Sequence, residues 1–356
     1  MNQHIDRKRR LGALMFAAGV LACSSATPRS RPWRRACAPP PTPPDNPHPK
    51  DKPVHHSFDF GAILAASNRA SWQIEDVLPD EATLDFGRNF LPEALARTAV
   101  AGGLSSDERR LLNQIRGHEY LSMFGMVEEF ILPFVLDHAR PQLDGDDERV
   151  RALLQFAGEE AKHIHLFRLF HRRFTDGFST SCDVIGPPEA IAAHVLAHDP
   201  LSVALLILHV EWMTQSHYLD SVRDDGGLDP LFKSLLRHHW MEEAQHAKLD
   251  TLMVEALAEG RDQAAIDIAV DGYLALGGFL DDGLKSQAAL NLTALERASG
   301  RSLPAKERAA LIASQHQALR WTYIGSGMTH PKFAATLAAI APAAAQRVAA
   351  IAPAFC

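Results

Sequence analysis

A five-residue pattern occurs twice in this sequence, first as Glu159-Glu160-Ala161-Lys162-His163 and again as Glu242-Glu243-Ala244-Gln245-His246. In each copy a glutamate stands three residues before a histidine, and on a helix two residues so spaced lie on one face. A carboxylate and an imidazole one helical turn apart can bind the same metal ion. Two helices that face each other with this pattern therefore predict a site for two metal ions.

The first two long helices have clear start and stop signals. Ser105 and Glu108 form a capping box before a helix that reaches roughly Ala139. A second helix is predicted to end at about Phe174, with Gly177 just beyond it.

Two further long helices begin with an aspartate N-cap followed by proline at the first helical position. Asp199-Pro200 starts one helix, which is predicted to end near Gly226-Gly227. Asp229-Pro230 starts the next, which is predicted to end at Gly260. These four helices are about 25 to 35 residues long, well beyond the usual mean of about 11 to 12, and such lengths are typical of a bundle that holds ligands inside it.

The remaining helical stretches lie near 262–298, 305–324 and 331–350 and are rich in alanine and leucine. We expect them to pack around the bundle without carrying chemistry. The sequence therefore predicts an all-α protein, a four-helix bundle with additional helices before and after it.

The other two bundle helices must each offer a carboxylate if two ions are to be bridged. Glu211 lies on an otherwise apolar face of the third helix, where an uncompensated buried carboxylate would be costly. On the first helix Glu128 has the more apolar face, while Glu129 remains an alternative and Glu119 is expected to be a surface charge.

The spacing of these residues adds to the prediction. Glu128 precedes Glu160 by 32 residues, and Glu211 precedes Glu243 by 32 residues, as the residue numbers show. Each half of the core is then a helical hairpin with the same order, a glutamate followed by Glu-x-x-His. The alternative to a metal site is that these Glu/His pairs are ordinary solvent-exposed residues on long helices. The matched repeat argues against that alternative.

Residues 105–260 resemble the ferritin-like di-iron carboxylate superfamily, which implies a ferritin-like di-iron domain over 58–356. His239 lies one turn before Glu243 on the same helical face, and this extra histidine resembles the p-aminobenzoate N-oxygenase family, in which a seventh protein ligand completes the metal site. By that resemblance the metal ligands are Glu128, Glu160, His163, Glu211, His239, Glu243 and His246.

Two residues are candidates for supporting the ligands. Asp250 lies one turn beyond His246 and could accept its free ring N–H, or it could be a solvated surface residue. Thr214 could face the oxygen-binding side or bond a backbone carbonyl. Histidines that fall off the ligand faces are expected to be structural: His165, His171, His194, His198, His209 and His217.

Carboxylate and imidazole ligands suit iron that reacts with dioxygen. The expected cofactor is two Fe ions, with manganese allowed at one position and O2 as co-substrate. The resemblance implies oxygenation of an arylamine nitrogen through the hydroxylamine toward the nitro product. The alternatives are a di-iron hydroxylase or desaturase that acts on C–H bonds, and iron storage or peroxide scavenging.

The expected partners are a small-molecule substrate and an external electron donor, and a homodimer is compatible with the sequence. After residue 57 the chain has 26 Lys and Arg against 40 Asp and Glu, which gives a formal charge of 26 − 40 = −14. This excess of negative charge after residue 57 argues against nucleic acid as a partner.

Residues 1–57 differ from the rest of the chain. Arg7-Lys8-Arg9-Arg10 precedes a short apolar run that ends at Cys23, and this order resembles a bacterial lipoprotein signal. A proline-rich linker follows it. These features predict an exported protein that is anchored to the bacterial envelope by lipid on Cys23; the alternative is a cytoplasmic protein with a mis-assigned start.

Overall fold

The computed structural model describes residues 58–99 and 102–356. The leader, the lipid on Cys23 and the proline-rich linker are predictions that lie outside the described residues. The helices of the described part, in chain order, are α1 (Phe60–Ala70), α2 (Ile74–Val77), α3 (Glu93–Ala96), α4 (Ser106–Ala139), α5 (Asp147–Gly177), α6 (Pro188–Leu196), α7 (Pro200–His217), α8 (Pro230–Ala258), α9 (Gln263–Ser299), α10 (Ala305–Arg320), α11 (Ser326–Met328), α12 (Pro331–Ile340) and α13 (Pro342–Ile351).

The prediction of an all-α, ferritin-like bundle is confirmed. Helices α4 and α5 pack as one antiparallel hairpin, and α7 and α8 pack as the other. The two Glu-x-x-His helices, α5 and α8, contact each other, and α1 covers them from outside. On the opposite side α9 packs against both α4 and α7, while α6 packs against α4. Although α9 is long and apolar enough to cross a membrane by length and composition, it serves here as a bundle helix.

The predicted caps of the four core helices are present. Ser105 and Glu108 form both hydrogen bonds of the capping box at the start of α4. The carboxylates of Asp199 and Asp229 accept hydrogen bonds from backbone N–H groups at the starts of α7 and α8. These caps satisfy N–H groups that have no partner within the helix and so fix where each ligand-bearing helix begins.

The end of α5 differs from the prediction. Gly177 is the last residue of the helix instead of lying beyond it. A Cβ added to this glycine would lie 2.3 Å from Cε2 of Phe86, whose ring packs against Phe90, Phe174 and Phe178. The glycine is needed here for close packing of an aromatic ring, not for a left-handed turn.

Two other predicted segments differ in detail. The α-helical part of α7 ends at His217 and continues as one π-helical turn over Tyr218–Val222, so helical structure ends four residues before Gly226. The predicted helical stretch 331–350 is present as two helices, because Pro342 starts a new one after Ala341 leaves the helical conformation. Proline lacks the N–H that would continue α12 and disfavours a helical conformation in the residue before it.

Candidate metal centre

The seven predicted ligand residues lie together inside the bundle, and all seven side chains are buried. Each of the four core helices contributes at the same level of the bundle. In chain order they are Glu128 on α4, Glu160 and His163 on α5, Glu211 on α7, and His239, Glu243 and His246 on α8.

One group of four side chains could hold a metal ion. Glu128, His163, His239 and Glu243 each offer one ligand atom within 4.8 Å of the others. Nε2 of His239 lies 2.9 Å from Oε1 of Glu128 and 2.6 Å from Oε1 of Glu243. His239 thus lies between the carboxylates of two different helices, as a ligand would.

A second group lies directly beside the first. Glu160, His163, Glu243 and His246 also have ligand atoms within 4.8 Å of one another. Nδ1 of His246 lies 2.9 Å from Oε1 of Glu160 and 2.8 Å from Oε2 of Glu243. His163 and Glu243 belong to both groups, and the two oxygens of Glu243 face different histidines, Oε1 facing His239 and Oε2 facing His246.

Glu211 approaches this pair of groups from α7. Its carboxyl group lies close to that of Glu243. Burial, and then the charge of Glu243, raises the pKa of Glu211 well above its usual value. Burial, and then the charge of Glu128, does the same to the pKa of Glu160.

Several ligand atoms at the centre have no hydrogen-bond partner among the described residues. They are Oε2 of Glu128, both carboxylate oxygens of Glu160, Oε2 of Glu211 and Nδ1 of His163. Buried acceptors without partners are costly, and several carboxylates brought so close repel one another. Divalent cations would satisfy these atoms, so the donor set fits the predicted two-metal centre.

Two further glutamates that the sequence analysis did not assign complete the site. Oε2 of Glu242 on α8 lies 2.8 Å from Nε2 of His163 on α5. Conversely, Oε2 of Glu159 on α5 lies 2.9 Å from Nε2 of His246 on α8. Each Glu-Glu-x-x-His segment therefore supplies an outer carboxylate to the histidine of the other segment.

These outer carboxylates set the orientation of the two rings. A carboxylate can only accept a hydrogen bond, so Nε2 carries the proton and Nδ1 of each histidine points at the centre. The doubled glutamate in each segment was the available sequence signal. The prediction assigned a role only to the second glutamate of each pair, which lies three residues before the histidine.

Both outer carboxylates are themselves held by other side chains. Glu159 accepts hydrogen bonds from Ser67 and, at 2.9 Å, from Gln155. Oε1 of Glu242 lies 2.5 Å from Nζ of Lys162, which also lies 3.9 Å from the centre of the Trp72 ring. The Trp72 ring in turn stacks on His163, with 5.9 Å between ring centres. The position of His163 is thus fixed by packing on one side and by hydrogen bonding on the other.

The two predicted supporting residues have other roles. Both interpretations of Asp250 were wrong, because it is fully buried, its oxygens have no hydrogen-bond partner, and Glu159 takes the N–H of His246 instead. Thr214 donates a hydrogen bond to the backbone carbonyl of Val210, so of its two interpretations the backbone one is correct.

The choice among the glutamates of α4 is resolved by their surroundings. Glu128 is buried in the centre, whereas Glu129 faces outward and pairs with Arg168 at 2.7 Å. The expectation that Glu119 is a surface charge was wrong. It is fully buried and binds Arg116 at 2.7 Å and the hydroxyl of Tyr323 at 2.6 Å, far along the helix from the centre.

The six histidines expected to be structural belong to neither ligand group. Two of them are buried in hydrogen-bonded pairs with tyrosines. Nδ1 of His209 lies 2.7 Å from the hydroxyl of Tyr273, and Nδ1 of His217 lies 2.9 Å from that of Tyr120. Burial lowers the pKa of His209 to about 4 and that of His217 to about 3, so both are neutral packing residues at neutral pH.

A cavity of about 360 Å³ lies on the α4–α7 side of the bundle, under α6 and α9. Its walls include Val127 and Val210, the chain neighbours of Glu128 and Glu211. Helices α5 and α8, which carry the three predicted histidine ligands, do not contribute to its lining. The cavity therefore lies beside the two helices that supply only carboxylates.

Residues 62–272, more than half of the chain, match the p-aminobenzoate N-oxygenase family, described as AurF. The chain belongs to this family. The match confirms the predicted resemblance and the prediction of a di-iron oxidoreductase of the oxygenase type. It spans α1 to the first part of α9 and includes every residue of the centre.

Solved structures similar to this chain include mutants of an R2-like ligand-binding oxidase. One mutant, with an anaerobically reconstituted Mn/Fe cofactor, has 15% identity and a TM-score of 0.41 over 76% of this chain and 94% of that chain. Another, with an aerobically reconstituted Mn/Fe cofactor, has 16% identity and a TM-score of 0.42 over 76% of this chain and 94% of that chain. A search of curated proteins found no match.

Proposed function

We propose that the chain holds two iron ions between its four core helices and uses dioxygen to oxygenate the nitrogen of an arylamine. The family match and the position of His239 support this proposal. His239 is the residue that carries it, because its ring nitrogen lies between Glu128 and Glu243 inside a group of potential ligands. This position supports the proposal that His239 is the seventh ligand that the family resemblance implies.

In this proposal Glu128, His239 and Glu243 would hold one ion. Glu160, His246 and the second oxygen of Glu243 would hold the other. His163 has its Nδ1 directed at the centre, and Glu211 closes it from α7. The bound ions would supply electrons to dioxygen, and the same ligands would also accept manganese at one position.

The side chains around the centre hold protons and exclude water. Glu242 and Glu159 keep a proton on Nε2 of each histidine, so that the other ring nitrogen is free for metal. We place the amine in the cavity beside Val127 and Val210, whose inner walls are apolar.

The first oxygenation has a simple balance. One oxygen atom forms the N–O bond of the hydroxylamine, and the other leaves as water. Two electrons and two protons must come from outside, so we propose an external electron donor as a partner.

Two expectations about assembly and location stay proposals. A homodimer is one, and analytical ultracentrifugation tests it. Export with a lipid on Cys23 is the other, and the intact mass of the membrane-extracted native protein tests it. A soluble product that retains Met1 would contradict the lipid anchor.

Turnover with ¹⁸O2 tests the proposed reaction directly. Iron-loaded protein, a chemical reductant and an arylamine should give a hydroxylamine that carries ¹⁸O on nitrogen, identified by mass spectrometry. The His239→Ala variant should give at least about tenfold less, a loss within the 10- to 100-fold range typical even of residues that only support a metal ligand. Label found only on carbon would contradict N-oxygenation and favour the C–H hydroxylase alternative.

A further inference from the structure

We infer that the amine bound in the cavity between α4 and α7 carries no negative charge, in contrast to p-aminobenzoate. This inference rests on the proposed function and narrows its substrate class. It follows from which side chains line the cavity and from where their charges lie.

The inner walls of the cavity are apolar. Met123, Val127 and Phe130 line it from α4, and Leu206 and Val210 line it from α7. Its volume of about 360 Å³ lies at the lower end of the range for small-molecule sites and has room for a substituted aromatic ring. The walls favour a flat, apolar substrate body.

The polar end of the cavity lies on α9, at the protein surface. Asp282 and Ser286 line this end and are exposed, and Phe279 beside them is 40% exposed. The hydroxyl of Ser286 donates a hydrogen bond to the backbone carbonyl of Asp282. A substrate that enters here passes a negative charge first.

No lysine, arginine or histidine lines the cavity within the part of the chain that the structure describes. A carboxylate moved from water into such walls would lose its hydration without gaining a hydrogen-bonding cation. Asp282 at the entrance would also repel it. An uncharged arylamine loses far less on entry, since its amino group is neutral at pH 7.

Cations do occur in a separate groove on the outer side of α4 and α5. Arg168 and Arg172 line this groove, and Arg168 already pairs with Glu129 at 2.7 Å. The groove and the cavity share the wall formed by Met126, Ile185 and Gly186. A carboxylate that reached Arg168 would therefore lie on the far side of that wall, and Arg168→Gln reports on this route.

The test compares two ligands of the same shape and different charge, p-aminobenzoate and p-aminobenzamide. Their dissociation constants are measured by calorimetry on iron-loaded full-length protein without oxygen, so that no turnover occurs. The amide should bind at least about tenfold more tightly. Asp282→Lys should reduce this preference several-fold by removing the repulsion at the entrance. Asp267→Lys makes the same charge change on α9 outside the cavity lining and should leave the preference unchanged.

Equal or tighter binding of the acid that persists in Arg168→Gln would overturn the inference. If Arg168→Gln abolishes the acid's binding while the amide still binds, the acid occupies the outer groove and the inference about the cavity holds. Failure of both ligands to bind would show that the cavity does not take arylamines. The proposed function is judged separately, by the products formed with oxygen. If the amide binds preferentially but gains oxygen only on carbon, N-oxygenation fails while the charge inference holds.

Discussion

Replacing Glu242 by glutamine tests whether the outer carboxylates belong to the metal centre. Glu242 is fully buried, accepts a hydrogen bond from Nε2 of His163 at 2.8 Å, and pairs with Lys162 at 2.5 Å. Glutamine has nearly the same size but no charge, and it has one oxygen in place of two. The substitution therefore weakens the contact that fixes the orientation of the His163 ring.

The expected magnitude follows from these contacts. Loss of a charge-assisted hydrogen bond costs about 1.5–3 kcal/mol. Loss of the residue that orients a metal-bound histidine lowers metal affinity by about 10- to 100-fold. We therefore expect Glu242→Gln to weaken binding of one ion by about that factor while the fold is retained. Glu159→Gln should do the same through His246.

The assay is an anaerobic titration of metal-free protein with Fe(II) against a chromophoric chelator. Glu129→Gln is the matched control, because Glu129 is also ion-paired but faces outward on α4. Its affinities should remain within about twofold of the parent protein. Equal affinities in Glu242→Gln and the parent would refute the assigned role of the outer carboxylates.

Three further predictions concern the extra histidine, a helix end and acid stability. His239→Ala should retain the fold and most of the iron but change the optical spectrum of the oxidised centre. The control His238→Ala should leave the spectrum unchanged, because the ring nitrogen of His238 hydrogen-bonds to a backbone carbonyl of its own helix. Gly177→Ala should lower the free energy of unfolding by about 1–3 kcal/mol through overpacking, measured by urea denaturation, while Gly158→Ala, which has open space around it, should not destabilise. Burial, and then the charge of His171, lowers the pKa of His118 to about 3, so the unfolded chain binds a proton at this histidine first as the pH falls below about 6.5. The contribution of His118 to stability should therefore drop by about 1.4 kcal/mol per pH unit from there toward pH 3, and His118→Asn should remove this one-proton part of the measured slope.

Much of the centre could be predicted from sequence because helical periodicity is local and regular. Once α5 and α8 were recognised as helices, a spacing of three or four residues placed Glu160 with His163 and His239 with Glu243 on common faces. The choice of Glu128 over Glu129 followed from which face was apolar. Caps at Ser105, Asp199 and Asp229 fixed three of the helix starts for the same local reason.

The features that could not be predicted are contacts between residues of helices that are distant in the sequence. The exchange of outer carboxylates between α5 and α8 needs the relative register of two helices that are far apart in sequence, which no local pattern encodes. Glu119 looked like a surface charge because its partner Tyr323 comes from the C-terminal part of the chain. Gly177 resembled a helix stop because the ring of Phe86 that needs its space lies far away in sequence.

The most direct test of the central claim is the number of metal ions bound per chain. Metal-free protein reconstituted with Fe(II) and analysed by mass spectrometry of the metal should contain about two ions per chain, one for each ligand group. Because Glu243 belongs to both groups, Glu243→Ala should lose one or both ions. Two ions retained in that variant, or none bound by the parent protein, would contradict a two-metal centre built from these residues.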